Sequence, residues 1–435
     1  MKKILSTVVA AAFVLGMAGS ALAIHETKAK SDTPVVAKGS GKITMDGYLQ
    51  FRGWTKKKTT NNDDTDNNYD TKVKLGVKAQ MSDATTGYFQ IETGDGSGDT
   101  YNWGQNDGSS LHAGGTKGAE GKNDLSVLQA WISYDPGVVG VKIGHMPLAL
   151  GHKTFFDHTG SGDDAIVIFA DPSKDTHIGL LTIKFTEGSG TDSDGGPFDG
   201  DDDIDGYVAL INQQMGAAKL GAQYTYLRGG DSAFVPGISF SNLGLTADVK
   251  AGAINLKGAV DLQFGDLTNH IDQSAYAVRL EGSTSVGAVT IGAIFGYGSG
   301  DDGSDATENE NFTNFLTDTV YDSTMVGYYN RTLGQATNNT GLANMMLVGV
   351  YVKGKVDKLG YKVALNWMKL NEEEVHGQDE LGVEIHGAAT YKIDNGLTAF
   401  LNFGYLFAGD AWDASSASPD PDNAYWIRPG IKLSF

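Results

Sequence analysis

The hydrophobic pattern of this chain repeats every two residues almost throughout. In TKVKLGVKAQM (71–81), Val73, Leu75, Val77, Ala79 and Met81 alternate with Lys72, Lys74, Gly76, Lys78 and Gln80. AINLKGAVDLQF (253–264) and LGVEIHGAATYKI (381–393) alternate in the same way. Successive side chains of a strand point to opposite faces, so each segment presents one apolar wall and one wet wall. Segments of this kind predict about 18 strands, beginning near residues 41, 71, 87, 124, 138, 164, 177, 205, 217, 239, 253, 274, 288, 342, 360, 381, 397 and 424.

The connections alternate in length. Short turns such as SDATTG, YDPGVV, QMGAA, VDKLG and KIDNGL follow even-numbered strands. Long polar segments, 56–70, 95–123, 188–204, 299–341 and 409–423, follow odd-numbered ones. A soluble sandwich has no reason to sort its loops this way. A transmembrane antiparallel β-barrel does, with short periplasmic turns, long outer loops and an even strand count. The fold expected is therefore all-β. Its last strand, AYWIRPGIKLSF, must close against its first, KITMDGYLQFRGW, because an open edge in lipid strands backbone polar groups. Pro429 cannot donate to a ladder, which predicts a local bulge there. Slipping strand 2 by one residue would turn Lys72, Lys74 and Lys78 into lipid. Each would cost up to about 2–4 kcal/mol near the midplane.

Composition narrows the picture. Lys2 and Lys3, the apolar run Ile4 to Ala18 and Ala21-Leu22-Ala23 read as a cleaved signal peptide over 1–23. Residues 24–40 then form a short periplasmic segment and 41–435 the barrel. The chain has no cysteine, so no disulfide and no haem-attachment motif. Its formal charge of −20 becomes −22 once Lys2 and Lys3 leave with the signal, which argues against a nucleic-acid partner. The 59 glycines, 18 tyrosines and 18 phenylalanines suit turns, strands and aromatic belts.

These features, with the terminal phenylalanine after AYWIRPGIKLS, resemble Gram-negative outer-membrane porins. The stretch VGVKIGHMPLALGHKTFFDHTGSGDDAIVIF (139–169) is similar to the large porins of metal-reducing delta-proteobacteria and, more loosely, to alginate-export-type barrels. General porins mostly have 16 strands, so 16 is the alternative count. The resemblance implies a homotrimer in contact with membrane lipid and lipopolysaccharide. It also implies that the loop after strand 5, GHKTFFDHTGSGDD (151–164), folds inward and narrows the channel. His152, Lys153, Asp157, His158, Asp163 and Asp164 would supply its charges, and Phe155 and Phe156 its anchor.

The wet parity carries Lys72, Lys74, Lys78, Lys142, Lys257, Arg279, Lys392 and Arg428, together with Lys42, Arg52, Lys184, Lys219, Lys353, Lys362 and Lys432. Acids on that parity are fewer: Asp46, Glu92, Asp248, Asp261, Glu281 and Glu384. The acidic excess must sit in loops such as NNDDTDNNYD and GTDSDGGPFDGDDDID. A basic wall beneath an acidic mouth predicts modest anion preference or little preference, because the charge nearest a constriction dominates within a Debye length.

His145, His152 and His158 invite a metal or catalytic reading, but their spacing follows no strand face and no helical H-E-x-x-H is present. No enzyme activity is expected. Asp201, Asp203, Asp205 and Gly206 open a D-x-D-x-D-G pattern, but Asn212 stands where a calcium loop needs its bidentate Glu. A solvated acidic loop is the simpler reading, and calcium is the one cofactor the sequence suggests. Three functions compete. The leading one is a water-filled porin for passive diffusion of small hydrophilic solutes and ions. The others are a barrel sheathing a partner such as a multihaem cytochrome, and a substrate-specific channel for acidic sugars.

Overall fold

The structure, a computed structural model, describes residues 36–38, 41–57, 65–93, 101–102, 125–186, 203–230, 237–316, 341–373, 378–413 and 423–435. The signal segment 1–23, most of 24–40 and the greater part of the acidic loops lie outside the described residues. Eighteen long strands make the wall. The first six are β1 (Gly41–Lys57), β2 (Thr65–Gln80), β3 (Thr85–Thr93), β4 (Leu125–Tyr134), β5 (Val139–Met146) and β6 (Asp163–Ser173). Next come β7 (Thr176–Thr186), β8 (Ile204–Met215), β9 (Ala218–Gly229), β10 (Ser239–Ala251), β11 (Ile254–Thr268) and β12 (Ile271–Val286). The last six are β13 (Val289–Gly298), β14 (Met345–Val356), β15 (Leu359–Leu370), β16 (Glu380–Lys392), β17 (Leu397–Ala408) and β18 (Ala424–Ser434).

Each strand pairs antiparallel with its successor, and β18 returns to β1, from Tyr48↔Ser434 to Lys57↔Tyr425. Gly47 and Phe435 exchange backbone hydrogen bonds at 3.1 Å in both directions, which extends the seam. The sheet is thus a closed barrel with no free edge. No bulge forms at Pro429. Arg52↔Gly430 and Thr55↔Ile427 hold one register, and the ladder omits only the two pairs between them. On its other side Pro429 keeps step with Leu401. The missing N–H is absorbed as a gap, with no residue inserted.

The expected loop 56–70 is shorter than its polarity suggests. β1 runs to Lys57 and β2 starts at Thr65, six residues ahead of position 71. Asn67 and Asp70 are spent on cross-strand bonds to Thr55 and Arg52. The sorting of loops also has an exception, since only residues 269–270 separate β11 from β12.

At the other end the turns are tight. Gly216, Gly252 and Gly287 each open a two-residue Gly-Ala turn at φ 61°, 62° and 61°. A two-residue hairpin that matches strand twist needs positive φ at its first central residue, which only glycine adopts without strain.

Alternation then separates the faces. Leu280, Val350, Ile132 and Leu365 point outward and are 51, 53, 61 and 46 % exposed. Their inward neighbours Ala277, Gly349 and Asn366 are buried, and a bulge opposite Gln90–Ile91 turns Leu128 inward as well. The strands differ in length, from 8 residues in β5 to 17 in β1, with 16 in β2 and β12. Replacing outward Leu280 by lysine should destabilise the barrel by about 2–4 kcal/mol, the price of a charge at the bilayer midplane. Urea unfolding in lipid vesicles would measure it, with inward Lys257→Met as the control. Equal effects of the two substitutions would contradict this assignment of faces.

Candidate functional site

Residues 147–162, between β5 and β6, turn into the barrel. Gly151 rests against Gln223 and Thr246 on the inner wall, and His152 Nε2 lies 3.1 Å from Asp248 Oδ2 on β10. Phe155 and Phe156 are buried. Phe155 packs 5.9 Å from Phe240, and Phe156 meets Phe185 edge-on at 5.7 Å. At the tip, Lys153 holds a left-handed φ of 66°, costly for a residue with a Cβ. Its ammonium donates to Asp157 Oδ2 at 2.9 Å and to Thr159 Oγ1 at 3.2 Å. Asp157 is fully buried, and its Oδ1 accepts from the Thr159 amide and hydroxyl at 3.2 and 2.7 Å.

His158 Nδ1 lies 2.7 Å from Asp163, which points inward and is buried. Asp164 does not join this group. Strand parity turns it outward, with 72 % of its side chain exposed, 3.0 Å from His145 on the same outer face. The three histidines therefore diverge, each with its own aspartate, and offer no shared metal or catalytic point.

A second segment also enters the interior. Residues 299–316, after β13, carry Phe312 and Phe315 inward. Phe315–Leu316 pairs in parallel with Phe156–Asp157, and the Phe315 amide donates to the Phe155 carbonyl at 2.7 Å. Sequence reading missed this segment because its acidity marks it as a mouth loop. The signal was NFTNFL (311–316), where two phenylalanines interrupt the polar run.

The wall facing these segments carries charge of both signs. Lys219, Asp248, Lys257 and Glu281 lie side by side across β9 to β12. Lys257 is 4.0 Å from Asp248, and Arg279 donates to Glu281 at 3.1 Å. The other arc, from β14 through the β18–β1 seam to β5, holds most of the inward cations. Lys72 and Lys74 lie 2.9 and 3.4 Å from Glu92. Arg52 pairs with Asp70, an inward acid the sequence reading left out. Arg428 stands opposite Asn402 at mid-wall, while Lys78 and Lys392 sit nearer the short turns.

Several of these cations lie on aromatic rings. Lys142 sits 4.0 Å over Trp131, and Lys432 3.8 Å over Tyr48, which Lys74 also approaches at 5.7 Å. Lys353 and Lys362 face each other across a ladder rung, 5.4 and 5.3 Å from the Tyr351 centroid. Like charges so placed repel, and the ring face offsets part of that. Gly292 makes this possible, since a Cβ there would fall 2.3 Å from the Tyr351 ring.

Lys184 belongs to the opposite face from the one its polarity implied. It shares outward parity with Ile178 and Leu180, while Leu181, Ile183 and Phe185 face inward beneath the docked loop. Its ammonium meets Asp203 and, at 3.2 Å, Asp205. Asp201 lies outside the described residues. Among the described residues the one trio of carboxylates within metal-binding reach is Asp301, Asp302 and Glu310. Desolvation and the nearby Asp302, Glu308 and Asp301 raise the Glu310 carboxyl above its ordinary range.

No protein-family model matches the chain, and no curated protein matches it in sequence. Solved structures do match in fold. The outer membrane protein OpdK from Pseudomonas aeruginosa is 9 % identical with a TM-score of 0.57, covering 90 % of this chain and 99 % of that one. OccAB3 from Acinetobacter baumannii is 8 % identical with a TM-score of 0.57 and the same coverage. OccK11 (OpdR) from Pseudomonas aeruginosa is 8 % identical with a TM-score of 0.56, covering 91 and 96 %. At such identities the likeness establishes the fold, a large closed β-barrel.

Asp157→Asn should loosen the inward loop by weakening a charge-assisted bond of about 1.5–3 kcal/mol. Limited proteolysis of the folded barrel should then cut faster within 151–160. Unchanged cleavage would mean that the Lys153–Asp157 pair does not hold the loop.

Proposed function

We propose that the protein is an integral outer-membrane channel of a Gram-negative bacterium, passing small hydrophilic solutes and ions by diffusion through a water-filled interior. The observation that carries this reading is the pairing of an apolar exterior with an inward arc of lysines and arginines, inside a closed sheet of eighteen strands. Eighteen strands enclose more space than wall side chains alone fill. The long-loop end would face outward and the tight turns the periplasm, the arrangement usual for such barrels. Residues 1–23 would be removed on export, and 24–40 would remain on the periplasmic side.

The inward loop 147–162 would form the constriction, with Lys153, His152 and the row Lys219–Asp248–Lys257–Glu281 around it. The ring-backed lysines at Tyr48 and Trp131 would attract anions, as would the pair at Tyr351, whose hydroxyl donates to Glu281 at 2.7 Å and so borders that row. Fields act over roughly 8 Å at physiological salt, so charges within that reach of the constriction would dominate over any farther away. The cationic arc also supports a channel that favours acidic solutes. A sheath for a haem partner fits less well, because residues 147–162 and 308–316 occupy space that the partner would need.

Reversal potentials in a KCl gradient across a planar bilayer test this directly. Little selectivity or modest anion preference is expected, and strong cation selectivity would overturn the charge argument. Lys353→Glu with Lys362→Glu should shift the reversal potential towards cation preference. Deleting 152–160 should raise single-channel conductance, and an unchanged value would place the loop off the conduction path.

A further inference from the structure

The segment 308–316 is held to the wall by side-chain amides. Glu308–Asn309 pairs in parallel with Asp272–Gln273 at the long-loop end of β12. Further along, Gln263 on β11 treats Thr313 as a neighbouring strand would. Its Nε2 donates to the Thr313 carbonyl at 2.6 Å, and its Oε1 accepts the Thr313 amide at 2.9 Å. Gln273 repeats the device, donating to the Asn311 carbonyl at 2.9 Å and accepting from Asn309 Nδ2 at 2.6 Å.

The two glutamines are themselves linked at 3.2 Å. Gln263 continues to Asn242 at 3.3 Å, and Asn242 to Asp261 at 2.9 Å. All four side chains are almost completely buried, so each bond is made where water cannot replace it. Beyond this clamp the segment reaches the inward loop. Phe315 stands edge-on to Phe155 at 5.5 Å, and its amide holds the Phe155 carbonyl.

We infer that residues 308–316 act as a strap that sets the position of the inward loop, and that Gln263 and Gln273 are positioning residues for the channel's aperture although neither touches that loop. This rests on the channel reading. An aperture loop in water would fluctuate if held on one side only. Here one side leans on the wall through Phe240 and Phe185, and the other is bridged by the strap. The position of loop 147–162 is therefore determined from β11 and β12, strands remote from its own roots on β5 and β6.

The experiment uses the full chain and compares the parent with Gln263→Ala/Gln273→Ala. Single-channel conductance in planar bilayers should rise about twofold or more, since the narrowest zone sets the current. Because the chain has no native cysteine, Phe156→Cys with Phe315→Cys can report contact between strap and loop by disulfide formation. Cross-linking should be efficient with both glutamines present and fall at least tenfold without them. Should the double alanine variant fail to fold, shown by loss of heat-modifiable migration, Phe315→Pro leaves the wall intact and removes the amide that holds Phe155. It should raise conductance likewise.

Unchanged conductance in a folded variant would overturn the inference, whether or not cross-linking is lost. Unchanged cross-linking without the glutamines would overturn it as well. Absence of any current from the parent would count against the channel reading, and the cross-linking result would still decide whether the glutamines hold the loop.

Discussion

A sheet surrounded by lipid must pair every backbone N–H and C=O within itself, and the rest of this structure follows from that constraint. It forces closure, and closure makes the β1–β18 seam indispensable. The seam tolerates Pro429 because the loss is confined to two rungs while the register on either side stays the same. Closure also fixes side-chain parity. Once the outer face is committed to Leu280, Val350 and their like, every alternate position is committed to the interior, and the lysines of β2, β11 and β15 have nowhere else to go.

The interior is divided. On the arc from β7 to β13 the wall combines apolar and amide side chains with a row of paired charges, and the two entering segments dock there through Phe155, Phe156, Phe312 and Phe315. On the arc from β14 to β5 the wall stays cationic, and its aromatic rings lie against it with ammonium groups above them. The interior therefore has one side occupied by the entering segments, where charges are paired, and one side where cations predominate.

This division explains what the sequence disclosed and what it withheld. All eighteen strands could be located. Where the inner wall is wet, as in 71–81 and 383–393, the faces alternate with period two. Leu381, grouped by that period with outward Val383 and Ile385, is instead buried at a bulge beside Gly382. Where loops dock, the inner wall is itself apolar. Both faces of β7 then look alike, so polarity alone points Lys184 inward although it pairs outside with Asp203 and Asp205. Asp163 and Asp164 are neighbours in sequence and opposites in space, a distinction that depends on where β6 begins. The glutamine clamp was not legible either, because a glutamine on a wet parity looks the same whether it meets water or the backbone of a distant segment.

The inequality of the strands has a geometric consequence at the entrance. At about 3.3 Å per residue and a tilt near 40°, eight residues rise about 20 Å and sixteen about 40 Å, against an apolar band about 25 Å tall. The described strands therefore make an uneven rim, low at β5 and high both at the β1–β2 hairpin and at β12, where the segment that begins at Glu308 pairs. The wall thus rises to two crests with its lowest stretch between them, so its height varies about twofold around the circumference.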